Sequence, residues 1–438
     1  MKVVVIGTGH VGLVTCASMA AIGHDVVGVD ADREKIEALH AGAMPFHEPS
    51  LAELVHEQTG ARRLVFTGDA ESATRAADIV FICVGTPPKS NGEANLIFVE
   101  EAARAVARHA EGRTLIVEKS TVPAGTAARM HRAIRLERGP DPELEVASNP
   151  EFLREGLAVA DAMEPERILV GAEAPWAFEM LRELYDPLVR AGSRLIETDI
   201  ATAELAKHAC NAFLALKISY ANALARVCER AGADVVAVAE VMGADPRIGR
   251  AFLDAGLGFG GSCFPKDLQA FGHLATALGY DFPLLREIER LNVEAVDAVL
   301  DKVREGLWNL HGKRIALLGL AFKPGTDDIR SSPPLELARR LMEEGARVVG
   351  YDPQAMANAK EELPDLGLAQ DAYDALEGAH CAILATDWPE FADLDLGRMR
   401  GVMAAPLVVD GRNQFDPAVM AEAGFAYYPT GRTPVHPR

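Results

Sequence analysis

A glycine-rich segment with one cysteine holds the residue types with the clearest chemical potential in this sequence. Residues 258–267 read GFGGSCFPKD, so three glycines precede Cys263. Glycine lets bare backbone pass close to a ligand, and the cation Lys266 one turn later favours the thiolate that a nucleophilic cysteine needs. Asp267 would orient a water molecule or hold Lys266. The alternative is a structural cysteine in a turn, which is our interpretation of the other cysteines, Cys16, Cys83, Cys210, Cys228 and Cys381.

The start of the chain carries a second signal, a glycine-rich turn suited to phosphate groups. Residues 7–12 read GTGHVG and fit the pattern GxGxxG directly after an apolar run. Gly7 permits a tight turn, Gly9 lets the backbone approach a pyrophosphate, and Gly12 lets the next helix pack closely. Asp30 closes the second apolar run, where a carboxylate accepts hydrogen bonds from a ribose and repels a 2′-phosphate. We therefore predict an NAD site rather than an NADP site; the alternative is a glycine-rich turn with a solvated aspartate.

Further acidic and basic residues occur at spacings that favour proton transfer. Residues 149–156 read NPEFLREG after a strand-like run, and Glu151 and Glu155 lie four residues apart. They indicate either an acid–base pair or a solvated loop. Lys207 and Asn211 share one face of a predicted helix, and Lys207 either is buried with a partner or extends its amine to the surface.

Two predicted strands end in hydroxyl-bearing residues. Residues 83–87 read CVGTP and include Thr86, and residues 120–123 read STVP and include Thr121. Because open α/β sheets build their sites beyond the carboxyl ends of the strands, we expect both threonines to contact a cofactor.

The elements that would position these residues follow an alternating pattern. A strand, turn, helix and strand occupy the first 30 residues, and further strands are predicted at 79–84, 114–118 and 168–170. Strands that alternate with helices indicate a parallel sheet covered on both faces. Residues 199–231 contain neither Pro nor Gly, which predicts one long helix that connects domains and offers an apolar face for a dimer. The pattern restarts at Lys313, with predicted strands and a helix at 314–319, 333–344, 347–351, 382–385 and 407–409.

Composition narrows the class of protein. The chain has 438 residues, too many for one core, and its 49% hydrophobic content allows several packed cores. The formal net charge of −20 speaks against a nucleic-acid partner. The scattered cysteines predict neither a metal site nor a disulfide framework and fit a reducing cytoplasm, and no apolar run is long enough to predict a membrane span. We predict an α/β protein with two Rossmann-like parallel-sheet domains joined by a long central helix.

These motifs occur in an order that resembles the UDP-glucose/GDP-mannose dehydrogenase family over essentially the whole chain. The strings at 207–213 and 247–249 look like the UDP-glucose branch. The resemblance implies two-step, four-electron oxidation of UDP-glucose to UDP-glucuronate with NAD, through a cysteine thiohemiacetal and thioester. It also implies an NAD-binding domain at 1–198, a central helical connector and dimerisation region at 199–311, a UDP-sugar-binding domain at 312–438, and a homodimer or higher homo-oligomer.

The resemblance also assigns roles to residues. Cys263 would be the nucleophile; Lys207, Asn211 and Asp267 would position the C6 oxygen and a water molecule; Thr121 and Glu155 would assist proton transfer near the nicotinamide. The implied cofactor contacts also include Gly7, Gly9, His10, Val11, Gly12, Asp30, Lys35, Thr86, Lys266 and Arg330. The implied substrate contacts also include Glu151, Phe152, Leu153, Phe252, Gly260, Lys323 and Arg412, with Arg247 from a second subunit.

Two residues depart from the family pattern, and three other functions compete with the implied one. His10 replaces the usual tyrosine of the fingerprint, and Asp254 stands where a lysine often lies near the substrate. The first competing function is oxidation of another nucleotide sugar, such as a UDP-N-acetylhexosamine or GDP-mannose. The others are a non-catalytic NAD-sensing or scaffolding protein and a two-electron hydroxyacid dehydrogenase, which would not need Cys263.

Overall fold

The computed structural model describes residues 1–87, 89–90, 92–141 and 143–437. The chain forms two compact units. The first unit comprises Met1–Cys210 and Gln269–Tyr280, and the second comprises Asn211–Leu268 and Asp281–Arg438. In the described part of the chain, no helix has the length and apolarity that crossing a membrane requires.

An eight-stranded sheet forms the centre of the first unit. Its strand order is β3-β2-β1-β4-β5-β6-β7-β8, and its neighbours are parallel except for β6 and β7, which pair antiparallel through Ser148 and Gly171. The change of direction between β1 and β4 is the position at which open α/β sheets bind ligands. The strands are β1 Lys2–Ile6, β2 Asp25–Val29, β3 Leu64–Thr67, β4 Ile79–Ile82, β5 Thr114–Glu118, β6 Leu144–Ser148, β7 Arg167–Gly171 and β8 Arg194–Thr198.

Helices cover both faces of this sheet. Side chains alternate between the faces along a strand, so Val3 and Val5 of β1 pack in one core while Val4 packs in the other. Leu13 and Leu181 lie in the first of these cores, and Val106 lies in the second. The helices are α1 His10–Ala21, α2 Arg33–His40, α3 Leu51–Gly60, α4 Ala70–Thr74, α5 Ile97–His109, α6 Thr126–Arg138, α7 Ala158–Met163 and α8 Pro175–Arg190.

The predicted long helix is confirmed as α9, Ile200–Ala231. Its 32 residues span about 48 Å at 1.5 Å per residue, and it runs without interruption from the first unit into the second. It ends before Gly232, whose φ of 69° stops a right-handed helix. The following helices are α10 Val235–Gly243, α11 Phe264–Ala277 and α12 Pro283–Leu307.

A six-stranded parallel sheet in the second unit repeats the order of strands β1 to β6 in the first sheet. Its order, β11-β10-β9-β12-β13-β14, again changes direction beside the first strand of the set. Its strands are β9 Arg314–Leu318, β10 Arg347–Tyr351, β11 Gly367–Leu368, β12 Cys381–Leu384, β13 Leu407–Asp410 and β14 Ala426–Pro429. The helices are α13 Pro333–Glu343, α14 Met356–Glu362, α15 Ala372–Leu376, α16 Pro389–Ala392, α17 Leu396–Val402 and α18 Pro417–Glu422. The predicted fold class is confirmed, whereas the division at residues 198 and 311 stays a prediction.

Candidate functional site

The turn between β1 and α1 has the shape that the GxGxxG pattern predicts. Gly7 adopts a φ of 95°, and a Cβ at Gly12 would lie 1.8 Å from the Gly7 carbonyl oxygen, so turn and helix are in direct contact. A Cβ at Gly9 would meet no described atom within 4 Å, and no described side chain caps the start of α1. The space beside Gly9 at the uncapped start of α1 is therefore open, which fits a pyrophosphate.

Asp30 lies at the end of β2 and is held by two neighbours. Its Oδ2 accepts hydrogen bonds from the backbone N–H and the hydroxyl of Thr8, both at 2.8 Å, and from Lys35 Nζ at 2.9 Å. Burial alone would raise the pKa of Asp30, but the bonds from Lys35 and Thr8 lower it to about 2. The solvated-aspartate alternative is wrong, because only 12% of this side chain is exposed. Sequence reasoning missed Thr8, since the second position of the pattern accepts any residue.

His10, which departs from the family pattern, packs inside the first unit. Its ring lies 4.6 Å from that of Phe46, and its Nε2 lies 3.2 Å from a carboxylate oxygen of Glu48. Glu48 also accepts hydrogen bonds from the N–H groups of Gly156 at 2.7 Å and Ala158 at 2.8 Å. One buried carboxylate thus joins the glycine-rich turn to the segment that carries Glu151 and Glu155. No local pattern reveals this, because Glu48 and Gly156 are 108 residues apart.

The two predicted threonine strand ends meet at the edge of the first sheet. Thr86, beyond β4, donates its hydroxyl to the carbonyl of Thr121, beyond β5, at 3.1 Å. Ser120 donates to the Val84 carbonyl at 2.9 Å and so fixes the same pair of strand ends. The structure therefore brings both threonines to the carboxyl edge of neighbouring strands, while their contacts with a cofactor stay a prediction.

Lys207 and Glu151 form a buried ion pair in the first unit. Their charged atoms lie 3.1 Å apart, and the two side chains are 4% and 5% exposed. Lys207 Nζ also lies 5.3 Å from the centre of the Phe152 ring, and Glu151 accepts the Leu153 N–H at 2.6 Å. The surface-lysine and solvated-loop alternatives are therefore wrong for Lys207 and Glu151. Glu155 is half-buried on the same segment.

Cys263 lies immediately before α11 in the second unit. A helix N-terminus stabilises negative charge, and this position suits a thiolate. Asp267, one turn later, is 1% exposed; it accepts a hydrogen bond from Asn211 Nδ2 at 2.6 Å and lies 2.9 Å from Lys266 Nζ. Of the two roles considered for Asp267, holding Lys266 is thus observed. The structure thus brings Asn211 of α9 to Asp267, which lies one turn after the cysteine with Lys266 beside it.

The glycines before Cys263 make room for protein neighbours. Asn292 of α12 accepts the Phe259 N–H at 2.7 Å and donates to the Phe259 carbonyl at 2.9 Å, and a Cβ on Gly258 would lie 2.5 Å from its Oδ1. A Cβ on Gly260 would lie 2.4 Å from the Ser331 carbonyl oxygen. The segment is therefore clamped by α12 on one side and by the loop after β9 on the other. Sequence reasoning missed Asn292 because nothing local distinguishes it from other helical asparagines.

The predicted substrate residues of the second unit gather near the direction change of its sheet. Arg412, beyond β13, donates from Nε to the Ala385 carbonyl at 2.8 Å and from a terminal nitrogen to the Phe322 carbonyl at 3.3 Å. A Cβ on Gly256 would lie 3.0 Å from the Arg412 guanidinium, so the backbone two residues before the segment 258–267 passes this cation. Lys323 lies on the same loop as Phe322.

Three predicted residues of the second unit lie outside this group of contacts. Arg330 is 61% exposed and pairs with Asp328 at 2.7 Å, although its carbonyl accepts the Gly261 N–H at 2.8 Å. Arg247 is 87% exposed and pairs with Asp245. Phe252 adopts a φ of 65°, an uncommon conformation for an aromatic residue that marks strain. The binding roles of all three stay predictions.

The features of the two units indicate a class of protein. Each has a Rossmann-like sheet, the first carries a dinucleotide-type glycine turn with an aspartate at the next strand end, and the second carries a cysteine beside a buried carboxylate. Within the described residues, no group of three or more His, Cys, Asp or Glu side chains is arranged to hold a metal ion. These features are those of a nucleotide-binding dehydrogenase.

Comparison with known proteins gives the family. Residues 1–189 match the NAD binding domain of the UDP-glucose/GDP-mannose dehydrogenase family, residues 201–294 its central domain and residues 316–417 its UDP binding domain. The chain belongs to this family. The UDP-glucose 6-dehydrogenase of Rhizobium meliloti (strain 1021) is 44% identical, over 99% of this chain and 100% of that protein.

Solved structures agree with this assignment. The structure of a UDP-glucose dehydrogenase from the archaeon Pyrobaculum islandicum is 42% identical, covers 94% of each chain and superposes with a TM-score of 0.88. A UDP-D-ManNAc dehydrogenase from Pyrococcus horikoshii is 28% identical, covers 99% of each chain and has a TM-score of 0.86. The protein is therefore an oxidoreductase with a nicotinamide cofactor and a nucleotide-sugar substrate.

Proposed function

We propose that this protein oxidises the 6-hydroxymethyl group of UDP-glucose to a carboxylate with NAD, giving UDP-glucuronate. The observation that carries the proposal is Cys263 at the start of α11, one turn before a buried carboxylate held by Asn211 and Lys266. An enzyme that removed a single hydride would have no use for a thiol at this position.

NAD supplies a hydride acceptor, which takes one hydride in each of two oxidation steps. The first oxidation converts the alcohol into an aldehyde, and the thiolate of Cys263 adds to the aldehyde carbon to give a tethered thiohemiacetal. Loss of the second hydride gives a thioester, and water cleaves its C–S bond to release the carboxylate and the thiol. The balance is one alcohol, two NAD⁺ and one water to one carboxylate, two NADH and three protons. The tether keeps the aldehyde bound while the cofactor is exchanged.

The cations and amides of the proposed site stabilise the charge that develops on oxygen. Lys207 and Asn211 would donate to the C6 oxygen when it carries negative charge, and one such preorganised donor contributes about 2.7–4 kcal/mol of transition-state stabilisation. Asp267 would orient the hydrolytic water, and Thr121 and Glu155 would assist proton transfer. Burial supports the role of Lys207, because an ionic interaction gains strength where water is excluded.

The proposed choice of NAD over NADP rests on Asp30. Its carboxylate, with a pKa of about 2, is charged at neutral pH and would repel a 2′-phosphate while accepting a hydrogen bond from a 2′-hydroxyl. Gly7, Gly9 and Gly12 would bring the start of α1 to the pyrophosphate. Lys35, Thr86, Lys266 and Arg330 would complete the cofactor contacts.

Arginine and lysine at the second sheet would hold the UDP pyrophosphate. Arg412 and Lys323 are the proposed cations, with Phe252 and Gly260 along the sugar and Arg247 contributed by a second copy of the chain. Exposed apolar residues recur every seven positions on α9, at Phe213, Tyr220 and Val227, which gives one face a stripe suited to another copy. We therefore propose a cytoplasmic homodimer or higher homo-oligomer, and sedimentation equilibrium measures its mass.

The stoichiometry of NADH tests the function. Purified protein given limiting UDP-glucose is expected to form two NADH per sugar nucleotide and to release UDP-glucuronate. Cys263→Ser is expected to lose this net turnover because an oxygen ester does not replace the easily hydrolysed thioester. Cys228→Ser, a buried thiol outside the proposed site, is the matched control and should keep two NADH. One NADH per substrate, or wild-type turnover by Cys263→Ser, would contradict the proposal.

A second substrate has a specific observation in its favour. The solved structure from Pyrococcus horikoshii is named for UDP-D-ManNAc and covers 99% of this chain. In addition, Asp254 is 79% exposed and pairs with Arg250, so the lysine that often lies near the substrate in the family is absent at this position. NADH formation with UDP-glucose, UDP-N-acetylglucosamine, UDP-N-acetylmannosamine and GDP-mannose side by side distinguishes these substrates; we expect UDP-glucose to give the highest kcat/KM.

A further inference from the structure

The two oxygens of the Asp30 carboxylate are used unequally. Oδ2 accepts three hydrogen bonds, from the Thr8 N–H, the Thr8 hydroxyl and Lys35 Nζ. Oδ1 accepts one from described residues, the Asp32 N–H at 3.1 Å. A carboxylate offers about four lone-pair positions on its two oxygens. Oδ2 is therefore fully occupied, and Oδ1 keeps an acceptor position for a ligand.

Thr8 fixes this asymmetry. The residue is 0% exposed, and its backbone and side chain bind the same oxygen at the same distance of 2.8 Å. Two donors from one rigid residue determine which oxygen faces the turn and thus the rotation of the carboxylate. The bond from Lys35 alone would not do so, because a long flexible amine can follow either oxygen.

We propose that Thr8 is a positioning residue that sets the preference for NAD over NADP by keeping Oδ1 directed at the adenosine ribose. The inference rests on the proposed function, since it takes this turn as the cofactor site. The 2′-hydroxyl of NAD donates a proton to Oδ1, whereas the 2′-phosphate of NADP has none to donate and meets a fixed negative charge. Without the Thr8 hydroxyl the carboxylate gains freedom to rotate, so Oδ1 is no longer held towards the 2′-hydroxyl and NAD loses a hydrogen bond that NADP never makes.

Binding of each cofactor tests the inference without turnover. NAD and NADP are titrated separately against the full-length protein by calorimetry, for the wild type, Thr8→Val and Thr8→Ser. Thr8→Val replaces the hydroxyl with a methyl group. We expect the Kd for NADP divided by the Kd for NAD to fall about tenfold, the loss typical of one hydrogen bond to a charged group. Thr8→Ser keeps both donors and should restore the wild-type ratio. Steady-state assays should show the change in the KM for NAD, with little change in kcat.

A matched control separates this role from general packing. Thr15 on α1 is buried and donates its hydroxyl at 2.7 Å to the Val11 carbonyl, so Thr15→Val removes a similar bond that does not involve Asp30. Its cofactor ratio should equal that of the wild type. An unchanged ratio in Thr8→Val, or an equal fall in Thr15→Val, would overturn the inference. If Thr8→Val is unstable, Thr8→Ala tests the same loss. A protein that binds NAD with the predicted ratios but fails to oxidise UDP-glucose would contradict only the proposed substrate.

Discussion

In each sheet, an aspartate at the end of the second strand accepts an N–H group from the turn after the first strand. The two aspartates differ in whether an acceptor position remains for a ligand. In the first unit Asp30 ends β2 and accepts the N–H of Thr8, the residue after the glycine of the turn, at 2.8 Å. In the second unit Asp352 follows β10 and accepts the N–H of Leu320, again the residue after a glycine, at 2.7 Å. The carboxylate at this position thus ties the first two strands of each sheet together.

The two aspartates differ in one acceptor position on their Oδ1 oxygens. Oδ2 of Asp352 also accepts Ala321 N–H and Trp388 Nε1–H, each at 3.0 Å, so that it receives three donors like Oδ2 of Asp30. Its Oδ1 accepts two N–H groups, from Gln354 and Ala355 at 2.9 Å, where Oδ1 of Asp30 accepts one. Asp352 is 1% exposed. One aspartate serves the fold alone, and the other serves the fold and retains capacity for a ligand.

The length of the turns agrees with this division. Three residues, 7–9, separate β1 from α1, whereas residues 319–332 separate β9 from α13. The short turn brings the start of a helix to the crevice, as binding of a pyrophosphate requires. The long loop instead packs its backbone carbonyls on the segment around Cys263 and on Arg412.

The largest loss of stability is expected when the carboxylate of Asp352, whose acceptor positions are all occupied, is replaced by an amide. In Asp352→Asn, one acceptor oxygen becomes an NH₂ group that faces N–H donors, which leaves several buried donors unsatisfied. We expect a loss of at least about 3 kcal/mol in the free energy of unfolding. Urea denaturation followed by circular dichroism measures it. Asp30→Asn, the matched variant in the other turn, should cost about 1 kcal/mol, because Oδ1 there has fewer partners. Equal losses would show that the two aspartates are equivalent.

The next effect separates the glycines of the first turn. Gly12→Ala would place a methyl group 1.8 Å from the Gly7 carbonyl oxygen, and backbone must shift to relieve it. We expect a cost of about 1–3 kcal/mol in stability together with weakened NAD binding. Gly9→Ala meets no described atom within 4 Å, so it should fold normally and still weaken NAD binding by obstructing the pyrophosphate. Thermal melting and NAD titration of both variants check this. Normal NAD affinity in Gly9→Ala would remove the phosphate role from the turn.

The sequence predicted the parts of these turns that depend on neighbours in the chain. The fingerprint, Asp30 and the segment around Cys263 are recognisable because each needs only a short pattern of residue types. Thr8, Glu48 and Asn292 were missed, since their importance comes from partners that folding brings together. Asn292, for example, lies 33 residues from Phe259, whose backbone it clamps.

Edge strands were also missed, for a physical reason. β8, Arg194–Thr198, has no buried residue and alternates little in hydrophobicity, so its apolar pattern is too weak to predict a strand. β11 has only two residues. The central strands β1, β4 and β9 were predicted because they are covered on both faces and are therefore continuous apolar runs.

The smallest expected effect is on the pH dependence of stability. It compares Asp30, which is charged at neutral pH, with the uncharged amide of Asp30→Asn. The pKa of Asp30 is lowered to about 2 in the folded protein, from about 3.9 in an unfolded chain. A carboxylate whose pKa is lower in the folded protein than in the unfolded chain stabilises the fold at pH values above its unfolded pKa. This contribution is lost as the pH falls from about 4 to about 2. The stability advantage of the wild type over Asp30→Asn should therefore be about 1 kcal/mol at pH 6, after allowance for solvent screening, and shrink towards pH 2. Urea midpoints of both proteins between pH 6 and pH 2 measure it, and an advantage that grows on acidification would contradict the assignment of the charge to Asp30.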